Sequence, residues 1–305
     1  MMASQPCQSE SAQLSLPEQL RTTTRQKHHT LNKQVMEHLP LCLPPHADTP
    51  LHYAEGMVVY GQIYSAFEDF MAVQLASTHV TPRLARIYRS LHLSQLSRMS
   101  RLRSDIEVLK SRLRRSEAEG LASLSKQAEL FCRRIKSSLS QRPHVLLAYA
   151  WTMYLALFNG GQWIRKQLVS AGAEFWLGEA LPLSFWEFAG GPPARVDGEP
   201  LKDAFKANFS TAASHLTDDE RRDVIEEATQ LFDLCSEMVG FLDRNTTTNP
   251  SKEAYPGSSP HSDSIVVSNH LTVAAETVEI GLGPAHALLK TAASATRRDE
   301  LEAQG

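Results

Sequence analysis

Apolar positions recur at helical spacing along most of the first 240 or so residues, and no run alternates with the period of two that marks a half-buried strand. Ser15-Leu16-Pro17-Glu18 has the Ser-x-x-Glu form of a capping box with proline in the first turn, which predicts a helix over about 16–39. Pro40-Leu41-Cys42-Leu43-Pro44-Pro45 must then be a turn or extended loop. A second core helix is expected over about 53–75, where Met57, Tyr60, Ile63, Tyr64, Phe67 and Phe70 share helical spacing. From about 82 to 138, residues such as Leu84, Ile87, Leu91, Leu102, Ile106 and Leu109 stand among many arginines, a pattern read as helices with solvated faces. Further helices are expected over about 201–216 and 218–242, so the fold class is all-α.

The least ordinary pattern is a glycine pair inside an apolar helix. Residues 145–158 are mostly apolar, run into Asn159-Gly160-Gly161-Gln162 and continue to Leu168. Two adjacent glycines in a helix interior cost roughly 2 kcal/mol relative to alanines, a cost tolerated where backbone must approach another surface closely. A membrane span needs about 20 apolar residues, and this run is shorter and flanked by Arg142 and by Arg165 and Lys166. It reads as a buried helix on whose bare backbone something flat lies.

Composition narrows the classes. A chain of 305 residues with 42% hydrophobic content can bury a substantial core, expected as one helical domain over about 14–243 that carries a basic helical insertion at about 82–115. Residues 1–13 are expected to be disordered, the Thr, Asn, Pro and Ser-rich stretch 244–270 to be a linker, and 271–305 to be a tail that is at most partly helical. Lys and Arg number 31 against 34 Asp and Glu, a net charge of -3 that provides no global pull toward nucleic acid. Cys7, Cys42, Cys132 and Cys235 lack metal-site spacing, and neither terminus has a secretory or anchoring pattern. A cytoplasmic location follows, with peripheral placement at the endoplasmic reticulum left open.

On a wheel of about 100 degrees per residue with Leu20 at zero, Leu31 falls near 20, Thr24 near 40 and His28 near 80 degrees, while His29 falls near 180. His28 therefore faces inward and His29 outward. Between Leu20 and Leu31 the inner face offers Thr23, Thr24, Lys27 and His28 and no aliphatic residue, which suits a ligand-filled cavity better than a packed core. With Arg21 one turn before Thr24, an inward imidazole and a side-chain-free helix would form the two jaws of a haem pocket, the imidazole on iron. A core-edge histidine bonded to a carbonyl is the plainer alternative.

The segment Leu20-Arg21-Thr22-Thr23-Thr24-Arg25-Gln26-Lys27-His28 resembles the proximal helix of the haem oxygenases, and Tyr154-Leu155-Ala156-Leu157-Phe158-Asn159-Gly160-Gly161-Gln162 resembles their distal helix. The segments 60–68, 185–188, 201–206 and 224–228 also look like the family, so the resemblance covers about 14–242. It implies a multi-helical fold that clamps haem between proximal and distal helices, with His28 as the axial ligand to iron. It further implies haem contacts at Thr24, Tyr154 and Phe232, and places Arg21, Lys202 and Lys206 where the haem propionates would be held. Asn159, Gly160 and Gly161 are implied as the catalytic distal segment, the glycines keeping side chains away from the iron. The family oxidises haem with O2 to biliverdin, carbon monoxide and ferrous iron, using electrons from a separate NADPH-dependent reductase. No flavin or nicotinamide motif in this chain replaces that partner.

This sequence departs from the family pattern at points that bear on turnover. The animal and bacterial members carry Gly-Asp where Ala156-Leu157 stand here, and that aspartate anchors a proton-delivering water. The second-sphere carboxylate one turn after the ligand corresponds to Asn32, the propionate-binding tyrosine to Trp151, and a nearby arginine to Met153. Three readings follow: a haem oxygenase in which Asn159, Thr152, Tyr154 or backbone organises the water, a haem sensor or carrier without turnover, and a helical interaction protein without haem.

Overall fold

The computed structural model describes residues 14–188 and 198–247. The chain divides into two units, Met1–Glu253 and Ala254–Gly305, of which the second lies wholly outside the described residues, as do the expected disordered N-terminus and most of the linker.

The first helix, α1 (Leu16–His38), begins where the sequence predicts. Glu18 reaches back to accept the Ser15 N–H at 2.9 Å and the Ser15 hydroxyl at 2.7 Å, and these bonds hold its carboxyl below the usual range. Leu16, Leu20 and Thr24 are buried, and the Thr24 hydroxyl donates to Leu20 O at 2.8 Å, which pays its desolvation. The central helix is α2 (Leu51–Ala76), apolar on most sides because α3 (Pro82–Leu91), α4 (Met99–Arg112), α5 (Arg115–Gln141) and the last long helix all pack on it. At Gly61 the approach of α4 is so close that a Cβ would lie 2.6 Å from Leu102 Cδ2.

The basic stretch forms α3 (Pro82–Leu91), α4 (Met99–Arg112) and α5 (Arg115–Gln141), whose charged faces, with Arg86, Arg89, Arg103, Arg114 and Arg115, are exposed as the pattern predicts, while the opposite faces are core. Ile87, Tyr88, Leu91, Leu96 and Leu109 are completely buried, and so is Arg98. Arginine fits there because its guanidinium donates to backbone carbonyls, Nη1 to Glu187 O at 2.7 Å and Nη2 to Gln95 O at 3.3 Å, and lies 4.6 Å from the centre of the Phe188 ring.

The glycine-pair segment is not one continuous helix. It comprises α6 (Leu146–Tyr149), a π-turn (Ala150–Tyr154), α7 (Leu155–Phe158) and, after a break at Asn159 with ψ -89°, α8 (Gly160–Ser170), followed by the single turn α9 (Gly172–Phe175). A π-turn disturbs the ladder of carbonyls, and Tyr64 of α2 supplies a replacement donor, its hydroxyl bonding Met153 O at 3.1 Å. The start of the segment is pinned by buried Glu227, which accepts from Ser138 at 2.8 Å, from Arg142 at 2.7 Å and from the Tyr149 hydroxyl.

Two helices complete the described part, α10 (Glu199–Ala213) and α11 (Asp218–Thr247). The latter continues through Asn245, so the head of the expected linker is helical. Helices α1 and α11 lie side by side, joined by the Lys27–Asp233 ion pair and by His38 Nε2 on Asp243 at 3.1 Å. Helix α10 touches both α1 and the distal segments α6 and α7.

Candidate functional site

On the proximal side, α1 presents His28 half-buried and His29 exposed, the assignment the helical wheel gives. The His28 ring meets Phe232 of α11 edge-on, centroids 6.0 Å apart and planes at 86°, so two of the expected cofactor contacts are brought together. Burial, with a smaller contribution from His29, pushes the His28 pKa below its ordinary value. The imidazole is therefore neutral at physiological pH, the form that can donate a lone pair to a metal. Thr24 is buried one turn before it, whereas Thr23 is exposed and Lys27 is drawn sideways to Asp233.

On the distal side the two glycines differ. A Cβ on Gly160 would meet nothing within 4 Å, and Ala156, one turn earlier, is exposed, so this face of the kinked helix is bare backbone and one methyl group. A Cβ on Gly161 would instead lie 3.3 Å from Ala156 O and 3.4 Å from the Trp186 ring, on the side packed against protein. Asn159, whose unusual ψ makes the break, is half-buried. Leu157, at the position of the family aspartate, is a core residue with 3% exposure.

The cationic candidates remain at the periphery. Arg21 is exposed on α1, and Lys202 and Lys206 are half-buried one turn apart on α10, Lys202 bonded to Glu199 at 3.0 Å. Tyr154 is not brought to the bare face. Its side chain is buried, its hydroxyl donates to Glu68 Oε1 at 3.1 Å, and its ring packs edge-on against Phe67 and Phe205. Glu68, whose carboxyl burial raises, also accepts the backbone N–H groups of Arg98 and Met99 at the start of α4. The Trp151 ring packs on Phe209, centroids 4.6 Å apart and planes tilted by 41°.

The aromatic segment 185–188 and its partners complete the distal wall. Trp186, in the turn Ser184–Trp186, bonds the Tyr53 hydroxyl through Nε1 at 3.0 Å. Phe188 stacks on Phe158 with centroids 4.5 Å apart and planes at 7°. Asp105, buried on α4, accepts from Ser184 N, Ser184 Oγ and Phe185 N at 3.1, 2.8 and 2.8 Å. The aromatic cluster at 185–188 was visible in the sequence; its three-dimensional partner on α4 was not.

In this all-helical body α10 touches both the histidine-bearing α1 and the segments α6 and α7 that lead to the glycine pair, which places both motifs around one helix. The family model described as heme oxygenase matches residues 14–240, and the chain belongs to that family. It is similar to "Heme oxygenase 1" of Nostoc sp., 26% identical over 195 residues that cover 63% of this chain and 72% of that protein. It is similarly related to "Heme-binding protein HMX1" of Saccharomyces cerevisiae, 26% identical over 198 residues, 59% of this chain and 62% of that one. Among solved structures, heme oxygenase-2 from Synechocystis sp. in complex with heme and NO superposes with a TM-score of 0.58 at 19% identity, over 77% of this chain and 88% of that one. Heme oxygenase-1 from the same genus, in complex with heme, gives 0.54 at 21%, over 77% and 95%. The fold is thus that of the heme oxygenases. Among the described residues no helix is long and apolar enough to cross a membrane.

Proposed function

We propose that this protein is a haem oxygenase that opens haem to biliverdin, carbon monoxide and ferrous iron, with electrons delivered by a separate NADPH-dependent reductase. The observation that supports this reading is the bare face at Gly160 and Ala156 in a chain matched to the family over residues 14–240: the space that a side chain would fill there is open.

The residues present fit that group. His28, neutral because burial opposes its charge, would ligate the iron, with the Phe232 ring edge-on against the imidazole. Arg21, Lys202 and Lys206 would hold the propionates at the rim, where charge stays solvated. When bound, haem supplies the redox-active iron and is itself the molecule oxidised. The chain contributes a backbone surface with no side chain at Gly160, which would leave room for a small molecule beside the bound group. Leu157 contributes no carboxylate and excludes water at its position. Asn159, at the break, offers a side-chain oxygen and an amide N–H to order a water near Gly160, and is the group to which we assign that role.

A second reading, haem binding without turnover, is favoured by one feature, the apolar Ala156-Leu157 pair, and by the relative named only as heme-binding. One experiment decides between them. One equivalent of haemin is added, the Soret band recorded, and oxygen and an electron source are supplied under catalase. Replacement of the Soret band by biliverdin absorption is expected. A haem complex that persists although its iron is shown to be reduced supports the second reading, and no Soret shift at all refutes both.

A further inference from the structure

The segment 184–188 follows the distal helix in sequence and lies behind it in space. Three side chains of this strap meet the kink: the Trp186 ring opposes Gly161, Phe188 stacks on Phe158 just before the break, and Glu187 Oε1 accepts from Arg165 Nη2 at 3.0 Å just after it. The strap is fixed in turn by α4. Asp105 accepts three hydrogen bonds from Ser184 and Phe185, while Arg98 and Arg101 both donate to Glu187 O, at 2.7 and 2.6 Å. Asp105 and Arg98 are 5% and 0% exposed, the condition under which bonds to charged groups are strongest and their loss most costly. A second tryptophan holds the far end of α8: Trp176, fully buried, donates from Nε1 to Leu168 O at 3.0 Å and packs edge-on with Tyr53, which also receives Trp186.

The glycine pair therefore has two separate reasons. Gly160 leaves the front of the helix bare, and Gly161 lets the Trp186 ring seat against its back. We propose that Trp186 is a positioning residue for the distal helix: held by Asp105 and Arg98 of α4, it fixes the kink at Asn159 and so sets how far the backbone of Gly160 stands into the site. The consequence for haem rests on the function proposed above; the mechanical part does not.

The test separates the two. Amide hydrogen exchange is measured on the full chain without haem for Trp186→Ala, Trp186→Phe and Asp105→Asn. In Trp186→Ala, exchange in the peptide covering 155–165 is expected to accelerate by about tenfold or more while peptides in α2 and α5 keep their rates, the signature of local rather than global opening. Trp186→Phe, which retains a ring against Gly161 but loses the bond to Tyr53, should fall between wild type and alanine, and Asp105→Asn should loosen both 184–188 and 155–165. If Trp186→Ala does not fold, the phenylalanine and asparagine variants carry the test. Unchanged exchange at 155–165, or acceleration spread evenly over all helices, overturns the proposal. Haemin titration of the same variants provides the second readout, with an altered Soret position expected in Trp186→Ala. Loosened 155–165 without any haemin binding, in wild type included, would overturn the haem reading and leave the strap; haemin binding with an unmoved 155–165 would do the reverse.

Discussion

His28 and His29 are adjacent and chemically identical, and only the helix they share makes them different. The first is half-buried against Phe232, the second exposed. His28→Ala should remove the ligand proposed here and with it the Soret band of a histidine-ligated complex, whereas His29→Ala should leave that band in place; matching spectra for both variants and wild type would take His28 out of the site. Burial also has a consequence for pH. The folded His28 titrates below the ordinary 6.5, so between that value and the lowered one the unfolded chain holds a proton that the folded apo-protein does not. The associated stability is present above the ordinary value and lost as pH falls through the lowered one. Imidazole NMR of the apo-protein should give a His28 midpoint below 6.5, and a midpoint at or above it would contradict the buried placement. This histidine was legible because helical periodicity assigns a side to every residue. Tyr154 was not, because periodicity cannot show that its hydroxyl is taken by Glu68, 86 positions away in the chain.

The glycine pair shows at the scale of an element what a local pattern contains and omits. Its sequence announced a bare surface but not that one glycine faces open space and the other a tryptophan. Gly160→Ala should therefore leave the melting of the apo-protein unchanged or slightly raised, by up to about 1 kcal/mol from helix propensity, and weaken haemin binding. Gly161→Ala should lower the melting temperature, since its Cβ would crowd Ala156 O and the Trp186 ring; calorimetry on both apo-variants checks the contrast. The π-turn at Ala150–Tyr154 was illegible because neither Pro nor Gly marks it, and its stabilising donor, Tyr64, comes from another helix. Buried Arg98 was illegible for a related reason: an arginine in a basic stretch reads as surface until its carbonyl partners are known.

Between elements, α3 and α11 are tied by Arg83, whose two terminal nitrogens each donate to Glu220 at 2.6 Å. Hydrogen bonding to Arg83 holds the Glu220 carboxyl at about 2, so its contribution is complete above the usual carboxylate range and lost as pH falls through about 2. Glu220→Gln should destabilise the protein by about 1 kcal/mol at neutral pH, a modest figure because Arg83 is partly exposed and the pair is screened. In urea titrations the difference from wild type should vanish near pH 2, and a gap unchanged by acid would contradict this origin.

For the whole molecule, the all-helical class, the principal helices and the family were legible because they rest on periodicity, caps and two long motifs. What was not legible is how α4, far from either motif in sequence, is built into the wall behind the distal helix. The family and the fold are shared with relatives that are about 26% identical, one of them named only as heme-binding, so the account rests on what this chain does with haem. The most direct test is a product balance on the full chain loaded with haemin and supplied with oxygen, catalase and an electron source in excess, shown to reduce the iron. Biliverdin, carbon monoxide and ferrous iron in equal amounts, each matching the haem consumed, are predicted. Haem that disappears without carbon monoxide and biliverdin, or that does not disappear at all, would contradict the account.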